Sequence, residues 1–139
     1  FVNVQRYQKK ISGPLLDRID LHINVPRLKY DVLMSQRENR AQESSQEIRL
    51  RVIAAREIQT KRFGKTKTNS EMNAKEVERY CKLNPECSNL LKQAAEKYQL
   101  SGRAIYRILK LARSISDLDQ TDSIDIKHLA ESLQYKLPT

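Results

Sequence analysis

Between residues 15 and 26 the chain reads Leu-Leu-Asp-Arg-Ile-Asp-Leu-His-Ile-Asn-Val-Pro, and apolar Ile19, Leu21, Ile23 and Val25 alternate with Asp20, His22 and Asn24. A period of two places the apolar set on one face of an extended chain. The pattern predicts a strand over residues 19–25 with one face buried. Pro26 has no N–H to give to a ladder and should end it. No second convincing strand follows, so pairing partners are expected in a further N-terminal part of a longer chain.

From residue 35 onward the apolar period changes to that of a helix. Ile48, Val52, Ala55 and Gln59 share one face, with Ala54 and Ile58 beside it. Ser44 and Glu47 have the spacing of a capping box, which would start a helix there; a helix running through 36–59 fits equally well. Gly64 should break the chain, and the polar run 60–72 reads as a loop. Asn73 then caps a short helix carrying Val77 and Cys81. Pro85 restarts the chain, with Leu90, Leu91, Ala94, Ala95 and Tyr98 as the next stripe. Ser101 caps a third helix whose apolar face is Ile105, Ile108, Leu109, Ala112 and Ile115. Asp122 or Ser123 opens a fourth, with Ile126, Leu129, Ala130 and Leu133 inward. Short connections favour antiparallel neighbours. The expected fold class is therefore mainly α, a small helical bundle preceded by one strand.

Composition narrows this further. At 39% hydrophobic and 31% charged, with three glycines and four prolines in 139 residues, the chain is neither collagenous nor a flexible linker. It is also too poor in turn residues for a β-sandwich. Mean hydropathy is −0.69, and no run approaches the ~18 apolar residues of a membrane span. No secretory leader opens the sequence, and Phe1 in place of Met suggests a piece of a longer chain. Two cysteines are too few for a disulfide framework and suit a reducing, cytoplasmic setting. The net charge of +9 puts polyanions among the candidate partners, against the plainer reading of a basic solvated surface.

Candidate chemistry is sparse. Gly64-Lys65-Thr66 resembles the end of a phosphate-binding loop, but Gln59 stands where that loop needs a glycine, so no backbone cradle can form. Cys81 and Cys87 lack metal-ligand spacing, and His22 and His128 are distant in sequence; buried free thiols and no metal site are expected. Asp17 and Asp20 flank Arg18 and read as loop and strand charges rather than an acid–base pair. Two basic features stand out. Residues 49–67 hold seven cations against Glu57, and Arg56, Lys61, Arg62 and Lys65 are the candidate DNA-phosphate contacts. Arg103, Arg107 and Lys110 recur along the third helix opposite its apolar face. Arg103 falls in the first turn, where it opposes the helix dipole and would favour a bound anion.

The run from Tyr7 to His22, which includes Gly13-Pro14-Leu15-Leu16-Asp17-Arg18-Ile19-Asp20-Leu21, closely resembles the magnesium-chelatase-like AAA+ ATPases of the bacterial ComM/YifB competence-protein family. Further matches are Glu43-Ser44-Ser45, Ala54-Ala55-Arg56, Leu100-Ser101-Gly102-Arg103-Ala104, the run Ile108 to Leu118, and His128 to Tyr135. The resemblance implies a clade shared with the MCM helicases and the chelatase ATPase subunit, whose members form rings with ATP held between neighbours. By that resemblance Arg18 matches an arginine finger acting in trans, and Arg103 matches the sensor-2 arginine of a helical lid. The region 36–59 matches the insert before sensor 2. The implied layout is a tail of the ATPase core with one strand over 1–30, a helical insert and basic loop over 31–69, and the lid over 70–139. Walker A and Walker B motifs are absent, so ATP and Mg2+ are expected cofactors only of a longer parent, and the chain alone should be inactive. Gly102 in the first turn should fray the helix end that carries Arg103. The implied function is ATP-driven DNA remodelling, such as branch migration in recombination and transformation. Expected partners are neighbouring subunits of a homo-oligomeric ring and DNA, with no membrane. The alternatives are a chelatase-type motor inserting metal into a porphyrin and a stand-alone basic helical nucleic-acid-binding module.

Overall fold

The computed structural model describes residues 18–23, 25, 27 and 43–136. Five α-helices and one 3-10 turn make up the described chain: α1 (Ser45–Phe63), the turn Asn69–Glu71, α2 (Ala74–Tyr80), α3 (Pro85–Tyr98), α4 (Gly102–Leu118) and α5 (Ile126–Lys136). The chain is mainly helical, as its periodicity predicts.

Side-chain caps set most of these boundaries. The Ser44 hydroxyl accepts the Glu47 N–H at 3.2 Å, while the Glu47 carboxylate accepts the Ser44 N–H at 2.6 Å. This reciprocal pair satisfies two otherwise orphaned donors, and of the two starts left open by the sequence it selects the one at Ser45. Asn73 and Glu76 repeat the arrangement at 3.0 and 2.7 Å. Asn84 caps Pro85–Tyr98, accepting the Cys87 N–H at 2.7 Å, and Pro85 occupies the first turn, where its missing N–H costs nothing. Ser101 caps α4 through the Ala104 N–H at 3.1 Å.

Three expectations change. First, α1 continues four residues past Gln59 into the run expected to be loop. It ends at Gly64, which adopts the left-handed φ of 66° that side chains disfavour. Lys61 and Arg62 complement the dipole in the last turn, and Phe63 packs against the core. Second, α5 starts at Ile126 rather than at Asp122 or Ser123. The Asp125 carbonyl accepts the Leu129 N–H at 3.2 Å, and the Asp125 N–H donates to His128 Nδ1 at 3.0 Å. Asp125 is thus the cap, with His128 reaching back as a glutamate does in a capping box. Ile124 in the preceding loop is then the buried residue, at 2% exposed, and Ile126 turns outward. Third, the described residues of 18–27 form a turn and irregular chain, not a strand. Ile19, Leu21, Ile23 and Val25 are all exposed, because no neighbouring strand covers them among the described residues. The segment is held instead by the His22 N–H, which donates to the Tyr135 carbonyl of α5 at 2.8 Å.

The core lies between α4, α5 and α3, closed by α2 and Met72. Its centre is Ile108, Ala112, Leu129 and Cys87, all at most 1% exposed. Burial of side chains the size of Ile108 or Leu129 contributes about 1.5–3 kcal/mol each. A parallel bridge between Leu83 and Ile124 ties the loops before α3 and α5. Tyr98 is exposed, while Leu91 and Ala94 carry the α3 contact. On α1 only Ala55 and Gln59 of the predicted face are buried; Ile48 and Val52 lie beyond the described core and are both 44% exposed.

Candidate functional site

The N-terminal end of α4 opens to solvent. Ser101 satisfies the Ala104 N–H, and Gly102 and Arg103 are exposed in the first turn, which holds no acidic residue. The first N–H groups of a helix and its dipole together favour an anion at this position, and Arg103 adds a full charge. The remaining cations of that row are engaged elsewhere. One turn along, Arg107 forms an ion pair with Asp20 at 2.9 Å. Lys110 donates to the Ser70 carbonyl at 3.0 Å.

The Asp20–Arg107 pair has a second consequence. Arg18 sits exposed in a turn two residues before Asp20. Asp20 on α4 and His22 on the end of α5 therefore attach the Arg18 turn to the same helix that presents Arg103. Periodicity could not reveal this, because the contact joins residues far apart in sequence.

The basic stretch of α1 divides. Arg56, Lys61 and Lys65 are exposed and available to solvent anions. Arg51 pairs with Glu43 at 2.6 Å, and Lys67 is held by the Glu76 carboxylate at 2.5 and 2.7 Å. Arg62 departs from the expectation of a DNA contact. Its guanidinium makes a bidentate pair with Asp117, one arm at 2.7 Å, and donates to Asn69 Oδ1 at 2.9 Å. With its side chain 11% exposed, it is an internal strut rather than a freely exposed cation like Arg56, Lys61 and Lys65.

That strut belongs to a polar cluster not singled out from sequence. Asp117 is fully buried on α4 and receives Arg62 from α1, Arg113 from its own helix at 3.2 and 3.1 Å, and Asn69 Nδ2 from the 3-10 turn at 2.7 Å. Arg113 also donates to the Thr121 and Asp122 carbonyls, each at 2.8 Å. The available signal was the Arg113-x-x-x-Asp117 spacing, which places both charges on one side of a helix otherwise dominated by its apolar stripe. The cluster clamps α1, the 3-10 turn and the loop before α5 onto α4.

Other titratable groups serve the fold. Cys81 and Cys87 are buried free thiols, and burial pushes the Cys81 thiol up to about 11. Buried His128 accepts the Asp125 N–H on Nδ1, so its Nε2 carries the proton toward the Asp119 carboxylate at 3.0 Å. Lys127, and after it His128, hold the Asp119 carboxyl below its ordinary value. Among the described residues no group of histidine, cysteine and carboxylate side chains could hold a metal ion. No helix among them is long and apolar enough to cross a membrane.

Residues 42–136 match the family described as magnesium chelatase, subunit ChlI C-terminal. This chain belongs to that family. Residues 2–33 match a second description, magnesium chelatase, subunit ChlI. Among curated proteins, the chain is 44% identical over 133 residues to the competence protein ComM of Haemophilus influenzae, covering 96% of this chain. It is 39% identical to the uncharacterized protein YifB of Escherichia coli and 37% identical to YifB of Salmonella typhimurium, each over 94% of this chain. It spans about a quarter of the length of each of these relatives (25%). The matched residues 42–136 include Arg103, Arg62, Arg113 and Asp117.

Proposed function

We propose that this chain is the lid region of a longer, ring-forming AAA+ ATPase and supplies Arg18 and Arg103 to the ATP site of a neighbouring subunit. The observation that carries the reading is the Asp20–Arg107 ion pair, which anchors the Arg18 turn to the helix whose first turn bears Arg103. Two exposed guanidiniums, one on α4 and one in the turn tied to it, suit a polyphosphate, because each offers a planar, permanently charged fork. ATP and Mg2+ are cofactors of the longer protein in this reading. The chain's own glycines cannot form a phosphate cradle, so it completes a neighbour's site and does not build one.

The proposed work of the ring is DNA remodelling in competence and recombination, in line with the name of the ComM relative and the net charge of +9. Arg56, Lys61 and Lys65 are the proposed DNA contacts of this chain. Salt dependence tests this part: affinity should fall with a log–log slope of about −0.7 to −0.9 per neutralised phosphate. Replacing Arg56, Lys61 and Lys65 together by Ala should flatten that slope. An unchanged slope, or no DNA binding at low salt, contradicts it and returns weight to a chelatase-type motor, the activity named in the family description.

A further inference from the structure

A cleft of about 320 Å³ opens where the C-terminal ends of α1 and α2 meet the loop between α4 and α5. Its floor is formed by Arg62 and Arg113, with side chains 11% and 5% exposed. Arg79, Tyr80 and Lys82 wall one side, and Asp122 and Ser123 close the other. Arg79 lies over the Tyr80 ring at 5.2 Å, which holds its charge close to the opening.

The charge here is unbalanced. Four cations meet two carboxylates, Asp117 behind the floor and Asp122 on the wall, leaving two positive charges in excess. The two floor guanidiniums are also fixed in place. Of the five N–H groups on each, three bonds engage Arg62 and four engage Arg113, using Asp117, Asn69 and the carbonyls of Thr121 and Asp122. Two donors on Arg62 and one on Arg113 are left unengaged by these bonds. Arg79 and Lys82 are exposed beside them and add charge at the opening.

We propose that this cleft binds a phosphate group, carried either by a free polyphosphate or by the backbone of a nucleic-acid strand. The site is separate from the arginines assigned to the neighbour's nucleotide. Arg113 lies ten residues along α4 from Arg103, about 15 Å at the helical rise, and neither Arg18 nor Arg103 lines the cleft.

The test is a titration of the 139-residue chain with inorganic pyrophosphate, read by amide chemical shifts. Saturable shifts are expected at Tyr80, Lys82 and Ser123. Arg79→Ala and Lys82→Ala should each weaken binding about three- to ten-fold, and Asp122→Asn should strengthen it several-fold, about the scale of one charge near a half-buried anion. None of these variants touches the Asp117 pairs, so the fold is kept. A single-stranded oligonucleotide is the second arm. Displacement of pyrophosphate from these amides assigns the phosphate to a strand, and retention assigns it to a free polyphosphate; each supports a phosphate site. The proposal is overturned if these amides do not respond, or if affinity is the same in all three variants.

Discussion

Asp117 is the residue on which the packing of α1 against α4 turns, and its removal has a calculable consequence. Its carboxylate is 0% exposed and neutralises two guanidiniums that are themselves nearly out of water. Asp117→Asn keeps the shape and one acceptor oxygen but leaves two buried positive charges without a counter-charge. Breaking a buried pair in this way costs about 3–5 kcal/mol. That is a large share of the ~5–15 kcal/mol that holds a typical domain folded. At roughly 3–5 °C per kcal/mol for a chain of this length, between the values for 60–100 and 150–250 residues, the melting temperature should fall by about 10–25 °C. Urea and thermal unfolding followed by far-UV circular dichroism measure it. The internal control is Lys127→Ala, which removes the exposed ion pair with Asp119 and should leave the midpoint nearly unchanged. A triple variant with Arg62→Met, Arg113→Met and Asp117→Leu should recover most of the loss, since apolar replacements of similar volume can match a buried ionic group. If Asp117→Asn destabilises no more than Lys127→Ala, the cluster is not the clamp described here.

Cys81, with its thiol pushed up to about 11 by burial, should react with iodoacetamide at pH 8 about two orders of magnitude more slowly than an open thiol. Unfolding in urea should abolish the difference, and equal native and unfolded rates would show that Cys81 is accessible. Stability should also decline in acid. Glu47 and Glu71 are held below the ordinary carboxylate value by the backbone N–H groups they cap, Glu76 chiefly by Lys67, and Asp119 chiefly by Lys127. Groups with lowered folded values stabilise above their ordinary values of 4.5 and 3.8, and that contribution is lost as pH falls through the folded values. Melting temperature should therefore be level from pH 7 to about 4.5 and drop below it; a level profile down to pH 2.5 contradicts the capping account.

Most helix starts were legible because their signals are local, whereas that of α5 was placed too early. Ser44, Asn73 and Ser101 each act within three residues, Pro85 marks the start of α3, and the α4 stripe of Ile108 and Ala112 needs only the helical period. The extension of α1 through Phe63 was hidden because Thr60, Lys61 and Arg62 are polar, and one of them is polar for an internal reason. Arg62 shows the general difficulty: its identity is that of a surface cation, and only Asp117, 55 positions later, makes it a buried one. The period-two run 19–25 carried a true alternation, yet alternation states a preference for pairing and cannot supply the partner strand. For the candidate site, the residue types at Arg18 and Arg103 were visible in the sequence, whereas the Asp20–Arg107 pair that ties the Arg18 turn to α4 was not.

The central claim is that Arg18 acts across a subunit boundary, and subunit mixing tests it most directly. In the proposed longer ATPase, Arg18→Ala should lower turnover by about 10³–10⁵-fold, the usual scale for an arginine finger, while nucleotide binding persists. Subunits whose own ATP-binding loop is disabled, but which retain Arg18, are then mixed with Arg18→Ala subunits. Each neighbour contributes what the other lacks, so the mixed rings should regain turnover that neither variant shows alone. If both variants fold and co-assemble and the mixture stays inactive, Arg18 does not serve a neighbour's site.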